Sequence, residues 1–264
     1  MLTILIGGNH EASNHMWELP YGGWVAPNMY YLGFAGVVSY NGVRIGGLSG
    51  IYNHRHYAIG HYEAPPFTPG SQRSIYHVRS IDVFQLKLLR PDGMDVFLSH
   101  DWPARIAFHG DTAALLRRKS FLREEIYSET LGSPPAEEIM SALRPRFWFA
   151  AHMHVKFAAV VRHGQVHGAQ GQRDSGQEAA QAHGSSSSGG GGGDGHAGDD
   201  GHAGDGGGQG VTRFLALDKC LPRRSFLQLI TIPDRDNSGL CYDMEWLTII
   251  RSVYVCAVCA VCAV

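Results

Sequence analysis

Three times in this chain, a short apolar run leads directly into a histidine or an asparagine–histidine pair. The three motifs are Gly8-Asn9-His10-Glu11, Ser99-His100-Asp101 and Ala151-His152-Met153-His154. A short apolar run bounded by glycine or polar residues is typical of a buried strand. In a layered α/β sheet the strand ends converge on one edge, where ligands bind. The pattern therefore predicts an α/β fold in which these three motifs meet.

The side chains of these motifs are suited to metal binding. Imidazole nitrogens and an asparagine carbonyl oxygen are reasonable ligands for Zn, Mn or Fe. His152 and His154 can both face a metal pair if the backbone turns between them. Two metals about 3.5–4 Å apart neutralise a phosphodiester and hold a hydroxide in line with phosphorus. A single histidine after a strand is usually structural, but three such motifs in this order favour a metal-dependent phosphoesterase site.

The remaining apolar pattern predicts alternating strands and helices. Strands are expected over 2–6, 29–32, 36–40, 43–47, 94–99 and 147–151, with a type I′ turn at Asn41-Gly42. Helices are expected over 74–90 and from Pro134 to about Arg144, the latter capped by Ser133. The polar, histidine-rich stretch 51–72 predicts a long ordered loop. Segments 214–217, 226–232 and 244–250 are expected to be strands or short amphipathic segments.

Composition divides the chain into four parts. Residues 1–163 form the predicted core, and 164–210 consist largely of Gly, Ser, Gln, His and Asp. A segment with so little apolar surface is expected to be a disordered insertion. Residues 211–251 return to the core with further strands and begin a C-terminal region. Residues 252–264 end in a VCAVCAVCAV repeat, which predicts a low-complexity tail rather than a cysteine metal site.

Charge and hydropathy limit the environment and the partners of the chain. The formal net charge is −2, so an RNA partner requires a local basic face. No apolar run reaches the roughly 18 residues that span a bilayer, and the first residues lack the charged region of a signal peptide. The five cysteines lie only in the C-terminal fifth. We therefore expect an intracellular protein without a membrane partner.

Several longer stretches carry a specific resemblance. They are GGNHEASNHMWELPYGGWVAPNMYYLG, RIGGLSGIY, RSIYHVR, FLSHDWP, TLGSP and WFAAHMHVKFAA. Together they closely resemble the RNA lariat debranching enzymes of the calcineurin-like metallophosphoesterase superfamily. The resemblance covers about residues 2–161 and returns in FLALDKCLPRRSFLQL and YDMEWLTIIR. It implies a layered metallophosphoesterase β-sandwich flanked by helices. It also implies a nuclear hydrolase that cuts the 2′–5′ phosphodiester at the branch point of excised intron lariats, during intron turnover.

The resemblance further implies roles for individual residues around two divalent metal ions. Asn9, His100 and His152 match ligands of the second metal, and His154 matches a ligand of the first. His10 matches the catalytic histidine that contacts the scissile phosphate or protonates the leaving oxygen. Glu11 and Asp101 are expected to orient imidazoles from behind.

Residues 50–80 match the lariat recognition loop of that family. Aromatic and guanidinium planes stack on splayed bases, and arginine also holds phosphates. The residues expected to contact RNA are Tyr52, Arg55, His56, Tyr57, His61, Arg73, Tyr76 and Arg79.

The sequence departs from the family pattern at its start. Family members open with a strand that carries Cys or Asp two residues before a His, and a later Gly-Asp supplies an aspartate that bridges both metals. Only eight residues precede Asn9, and neither motif is among them. We therefore expect the first strands to be missing and the activity of this chain to be impaired. Two alternatives stay open: an inactive remnant that binds branched RNA, or another metallophosphoesterase acting as a nuclease or phosphatase.

Overall fold

Ten strands form two sheets in the part of the chain that the structure describes. The structure, a computed structural model, describes residues 1–164 and 210–262, with side chains described as far as Val253. The strands are β1 Thr3–Leu5, β2 Gly23–Ala26, β3 Met29–Tyr31, β4 Ala35–Tyr40, β5 Val43–Leu48, β6 Val96–Ser99, β7 Phe147–Ala150, β8 Phe157–Arg162, β9 Val211–Ala216 and β10 Leu240–Tyr242.

The larger sheet has a parallel centre. Its seven strands run in the order β10-β4-β5-β6-β7-β9-β8, and the smaller sheet in the order β1-β3-β2. Strands β5, β6, β7 and β9 are mutually parallel, whereas β10, β4 and β8 pair antiparallel with their neighbours. The carboxyl ends of β5, β6 and β7 therefore lie side by side at one edge of the sheet.

Eight helices accompany the sheets in the part of the chain that the structure describes. They are α1 Ser13–Met16, α2 His54–Tyr57, α3 Pro69–Ile75, α4 Ser80–Lys87, α5 Thr112–Arg118, α6 Arg123–Tyr127, α7 Pro134–Leu143 and α8 Met244–Cys262. Helix α7 begins as predicted, because Ser133 Oγ accepts a hydrogen bond from Ala136 N and Pro134 occupies the first turn. It ends where Arg144 turns left-handed, with φ 49°.

Alternation along the strands sorts the apolar side chains into two layers. On one face of the larger sheet, Phe97 and Trp148 pack with buried residues of α4, α5 and α7. On the opposite face, Val38 packs with Tyr30 and Leu32 of the smaller sheet region. Each such side chain contributes about 1.5–3 kcal/mol when it is fully buried. The arrangement confirms the predicted α/β fold, with two stacked sheets and helices on the far face.

The predicted hairpin is confirmed in detail. Strands β4 and β5 pair from Ala35↔Leu48 to Tyr40↔Val43. Asn41 and Gly42 both have positive φ, 47° and 76°. Two central residues with positive φ define the type I′ turn, whose twist matches that of the flanking strands.

The prediction over 51–90 is wrong in its element boundaries. The expected helix 74–90 is two helices, because α3 ends at Ile75 and α4 starts at Ser80. Between them, His77 forms a bridge with Ile51. The loop expected over 51–72 contains α2 and the start of α3, where Thr68 and Ser71 form a reciprocal capping box.

Of the segments expected to be strands or short amphipathic segments, 226–232 forms no element, whereas 244–250 lies in a helix. The apolar run 226–232 adopts no regular structure, and Leu229 is 83% exposed. Its apolar and β-branched composition resembles a strand, but none of the described strands pairs with it. Segment 244–250 is helical, because the Asp243 side chain accepts from Trp246 N and Trp246 is buried against the core. Strand β2 covers Gly23–Ala26, a range to which the apolar pattern assigned no element.

The predicted insertion 164–210 and the predicted tail 252–264 are only partly covered by the described residues. The disorder predicted for 164–210 falls on residues outside those that the structure describes, apart from Gly164 and Gly210. At its base, His163 N donates to Gly210 O at 2.9 Å, so the antiparallel strands β8 and β9 close beside it. The predicted tail is helical to Cys262 as part of α8. No helix among the described residues is long and apolar enough to cross a membrane.

Candidate metal centre

The three histidine-bearing motifs meet at one edge of the sheets. Strand β6 ends at Ser99 and leads into His100, and the neighbouring parallel strand β7 ends at Ala150, two residues before His152. Strand β1 of the smaller sheet leads to Asn9 through Gly7 and Gly8. Adjacent parallel strands bring their carboxyl ends together, as the sequence predicted.

Three donor groups are in direct contact there. His100 Nε2 lies 2.9 Å from Asn9 Oδ1 and 3.2 Å from His152 Nδ1. Two imidazole nitrogens and an amide oxygen thus face one another without an intervening side chain. Such nitrogen and oxygen donors are common ligands of divalent transition metals.

Electrostatics keep the central histidine neutral. Burial, followed in order of effect by the neighbouring His152, His10 and His154, lowers the pKa of His100 to about 4. At neutral pH the imidazole therefore retains a free lone pair, which a metal ligand requires.

The backbone turns sharply at the paired histidines. His152 has φ 50° and His154 has φ 51°, both in the left-handed region. That conformation is uncommon for residues other than glycine, and it is often found at functional sites. The sequence prediction required a turn between the two residues, and the structure provides one, with Met153 N donating to Ala151 O at 2.6 Å.

His154 and His10 lie near this cluster without joining its contacts. Burial, Lys219 and Lys119 lower the pKa of His154, and His152 adds to the effect. His10 is exposed, which leaves its imidazole open to a ligand. Within residues 1–164 and 210–253, no three His, Cys, Asp or Glu side chains are grouped to hold a metal. Asn9 is therefore the third donor beside His100 and His152.

The two carboxylates expected to orient imidazoles accept hydrogen bonds from the backbone. Glu11 Oε2 accepts from Gly8 N at 2.6 Å. Asp101 accepts from Trp102 N at 2.9 Å and from Tyr52 N at 3.3 Å. Burial raises the pKa of Asp101, although nearby His152 acts in the opposite direction. Glu11 and Asp101 thus stabilise the turns beside the histidines, and their role in orienting imidazoles stays a prediction.

Two supporting residues escaped the sequence reading. A Cβ on Gly8 would lie 2.5 Å from His100 Cε1, so only glycine leaves room for this imidazole. Trp102 is 0% exposed, and its Nε1 donates to Ala151 O at 2.9 Å. The sequence features that could have indicated these two supporting residues are the Gly7-Gly8 pair and the tryptophan two residues after His100.

The predicted recognition loop leaves from the same edge. It follows β5, and Ile51 pairs with His77 at its base. Arg55 and Arg73 are exposed. The other predicted RNA contacts, Arg79 excepted, are partly buried: Tyr52, His56, Tyr57, His61 and Tyr76. Several of these aromatic side chains are therefore already packed against others, as in the edge-to-face pair of Tyr52 and Tyr57 at 5.6 Å.

A histidine pair lies inside the loop. His56 Nδ1 and His77 Nδ1 are 2.6 Å apart, so one nitrogen donates and the other accepts. Burial, with smaller effects of His56 and Arg79, lowers the pKa of His77 to about 4. His77 is consequently neutral near pH 7, and its hydrogen bond holds the His56 ring in place.

The expected RNA contact of Arg79 is corrected by its burial. Arg79 is 0% exposed, and its guanidinium pairs with Glu63 and donates to the carbonyl oxygens of His56 and Ser74. Its guanidinium is closed to solvent and therefore offers no surface to a bound RNA. Its position was not evident from the sequence, because Glu63 lies sixteen residues away and no local pattern joins the two.

Comparison with known proteins adds family information to this geometry. A family model described as "Calcineurin-like phosphoesterase" matches residues 2–156, and one described as "Lariat debranching enzyme, C-terminal domain" matches residues 209–258. The chain is 49% identical over 255 residues to the lariat debranching enzyme of Homo sapiens and 52% identical over 255 residues to that of Drosophila melanogaster. It is 48% identical over 250 residues to that of Arabidopsis thaliana.

These matches cover nearly all of this chain and only part of each relative. They include 96%, 96% and 94% of the chain for the human, fly and plant proteins. The same alignments cover 40%, 47% and 50% of the three relatives. The chain thus spans half or less of the length of these relatives.

Proposed function

This chain belongs to the calcineurin-like phosphoesterase family, and from that premise we propose that it hydrolyses the 2′–5′ phosphodiester at the branch point of lariat RNA. The observation that carries the proposal is the contact of Asn9 Oδ1 and His152 Nδ1 with His100 Nε2, at 2.9 and 3.2 Å. The identity of about half of the residues with lariat debranching enzymes supports branched RNA as the substrate.

The donor set fits a divalent metal ion. His100 is neutral at pH 7, His152 presents Nδ1 to it, and Asn9 supplies a carbonyl oxygen. We infer that these three residues hold one ion and that His154 serves a second, with Mn, Zn and Fe as suitable metals. When bound, such ions supply positive charge that neutralises the phosphodiester.

The remaining residues of the site bind and protonate the substrate in this proposal. His10 is exposed beside the cluster, where its imidazole can give a proton to the departing ribose 2′-oxygen. Arg55 and Arg73 are exposed on the loop and suit backbone phosphates. Tyr52 and Tyr76 are half-buried and present partial ring faces for stacking on unpaired bases.

A turnover assay with three substrates tests the proposal. The full chain is loaded with Mn²⁺ and given a 2′–5′ branched RNA, a linear RNA of the same composition and a phosphoprotein, with and without EDTA. We expect metal-dependent cleavage of the branched RNA alone. Cleavage of linear RNA or of the phosphoprotein at an equal rate would assign the chain to another metallophosphoesterase activity. Binding of branched RNA without cleavage would assign it to the inactive alternative.

The same assay measures the expected impairment. The rate is compared with that of the human lariat debranching enzyme under identical conditions, and a markedly lower rate is the predicted result. A nuclear location and a role in intron turnover are part of this proposal, since lariats arise where introns are excised. Fluorescence of the tagged chain in cells, together with lariat levels after its depletion, checks that part.

A further inference from the structure

A second concave site lies away from the histidines. It is a cavity of about 490 Å³, within the usual range of about 300–1,000 Å³ for small-molecule sites. It is lined by the segment after α1, by α4 and by part of the recognition loop; the residues that matter here are Trp17, Glu18, Phe34, His61, Asp82 and Gln85. None of Asn9, His100, His152 or His154 contributes to it.

Aromatic rings form two of its walls. Phe34 and His61 are stacked, with ring centroids 4.1 Å apart and planes inclined by 7°. Trp17 contributes a second ring and is itself supported edge-on by Phe67 at 5.6 Å. Planar rings of a ligand gain contact area and favourable stacking between such walls. The shape of the cavity therefore favours a flat aromatic ligand.

A carboxamide contributes to the wall of this cavity. Gln85 is 7% exposed as a residue and belongs to the lining of the cavity. The carboxamide offers both N–H donors and a carbonyl acceptor, which is the pairing face that glutamine uses with adenine.

Two carboxylates give the cavity a negative charge. Asp82 is 8% exposed and lines the cavity, and its Oδ2 accepts from His61 Nε2 at 2.9 Å. Glu18 is exposed where it lines the cavity. Carboxylates repel phosphate and accept hydrogen bonds from amino groups, as they do from cytosine N4. The ligand should therefore be flat, uncharged or cationic, and rich in N–H donors.

We propose that this cavity binds a single nucleobase that carries an exocyclic amino group. The ring inserts between Trp17 and the Phe34–His61 stack. The amino group donates to Asp82 or to the Gln85 carbonyl, and the Gln85 N–H group donates to a ring nitrogen. Uracil has no exocyclic amino group and fits the carboxylate poorly. Binding of a base requires no phosphodiesterase activity; only the assignment of that base to a branched RNA rests on the function proposed above.

Calorimetric titration of the full chain with free nucleosides tests the base site. Adenosine and cytidine are expected to bind at least about tenfold more tightly than uridine, because only they satisfy the acceptors. Gln85→Leu keeps the size of the side chain and should weaken adenosine at least about tenfold. Gln72→Leu changes an exposed glutamine on α3 and is the matched control. Trp17→Ala removes a wall without touching Gln85, so it tests the site even if Gln85→Leu fails to fold.

Three results would overturn the proposal. They are equal affinity for uridine and adenosine, unchanged adenosine binding in both Gln85→Leu and Trp17→Ala, or no saturable nucleoside binding in the intact chain.

A second arm locates the source of the base. Each base of a branched RNA is replaced in turn by an abasic residue, and affinity is measured without turnover. A position whose loss weakens the intact chain but not Gln85→Leu supplies the base from RNA. If no position behaves in this way while nucleosides bind, the site holds a free nucleoside. Since neither arm measures cleavage, failure of the proposed phosphodiesterase activity leaves both readouts intact.

Discussion

Arg79 and Glu63 form an ion pair whose side chains are both fully shielded from solvent, with Arg79 Nη2 2.5 Å from Glu63 Oε1. The same guanidinium donates to His56 O at 2.8 Å and to Ser74 O at 3.1 Å. Glu63 also accepts from Ser74 Oγ. One arginine thus joins the start, the middle and the end of the predicted recognition loop, and it does so from the interior.

Replacing Arg79 with leucine should destabilise the protein strongly. It leaves the Glu63 carboxylate buried without its partner, a change that typically costs about 3–5 kcal/mol in the free energy of unfolding. Arg73→Leu removes an exposed arginine of the same loop and should change that free energy by less than about 0.5 kcal/mol. Urea denaturation followed by circular dichroism measures both. Equal stability of the two variants would show that the buried pair does not hold the loop.

Gly8→Ala should lower the affinity for metal by displacing the His100 imidazole. The new methyl group would lie 2.5 Å from His100 Cε1 and 2.6 Å from His100 Nδ1, so the imidazole must move away from Asn9 and His152. Loss of a residue that orients a metal-ligating side chain typically lowers metal affinity by about 10–100-fold. Titration of the metal-free chain with Mn²⁺ gives the affinity.

Gly60→Ala is the matched control for that experiment. A Cβ at Gly60 meets no other described atom within 4 Å, so the same chemical change is made in open space. Its Mn²⁺ affinity should equal that of the unmodified chain. An unchanged affinity in Gly8→Ala as well would mean that His100 does not depend on this close approach.

His10→Ala and His152→Ala should separate two kinds of role. His152 Nδ1 touches His100 Nε2, so removing it should lower both the metal content and the rate of debranching. His10 is exposed beside the cluster, and its removal should leave the metal content unchanged. A general acid typically contributes about 10²–10⁴-fold in rate, which is the loss expected for His10→Ala. Metal analysis of both purified variants distinguishes them; an emptied site in His10→Ala would make His10 a ligand or a support.

Residues 165–209 should be dispensable for stability. His163 N and Gly210 O are hydrogen-bonded at 2.9 Å, so the segment departs and returns at one point of the β8–β9 pair. Loop-closure entropy grows slowly with length, by roughly 0.6 kcal/mol per doubling. A short Gly-Ser turn in its place should therefore keep Tm within a few degrees, as calorimetry can show. A large fall in Tm would mean that the segment packs against the rest of the protein.

The meeting of Asn9, His100 and His152 at one edge of the sheets was predictable from sequence, because it depends on two local features of the chain. Each apolar run is long enough for one buried strand, and the residue that follows a strand lies at its end. The hairpin was predictable for the same kind of reason, since Asn41 and Gly42 tolerate positive φ and the turn fixes the register of β4 and β5.

What could not be predicted depends on distant partners. An arginine in a polar loop is usually exposed, so the burial of Arg79 becomes evident only when its ion pair with Glu63 is known. The run 226–232 has the apolar, β-branched composition of a strand, yet a strand also needs a neighbour, and none of the described strands pairs with it. Glu11 and Asp101 stand next to histidines in sequence, but the geometry of the turns gives their oxygens to backbone N–H groups.

One hydrogen bond joins a residue beside the predicted metal ligands to the start of the predicted recognition loop. Asp101 follows His100 directly, and its carboxylate accepts the N–H of Tyr52, where the recognition loop begins. The function proposed above places a metal ion on one side of this bond and RNA on the other. Thermodynamic coupling is reciprocal, so under that proposal any factor by which the ion changes the affinity for RNA equals the factor by which RNA changes the affinity for the ion. A metal titration repeated at increasing RNA concentration measures that factor, and a value of one would show that the bond carries no coupling.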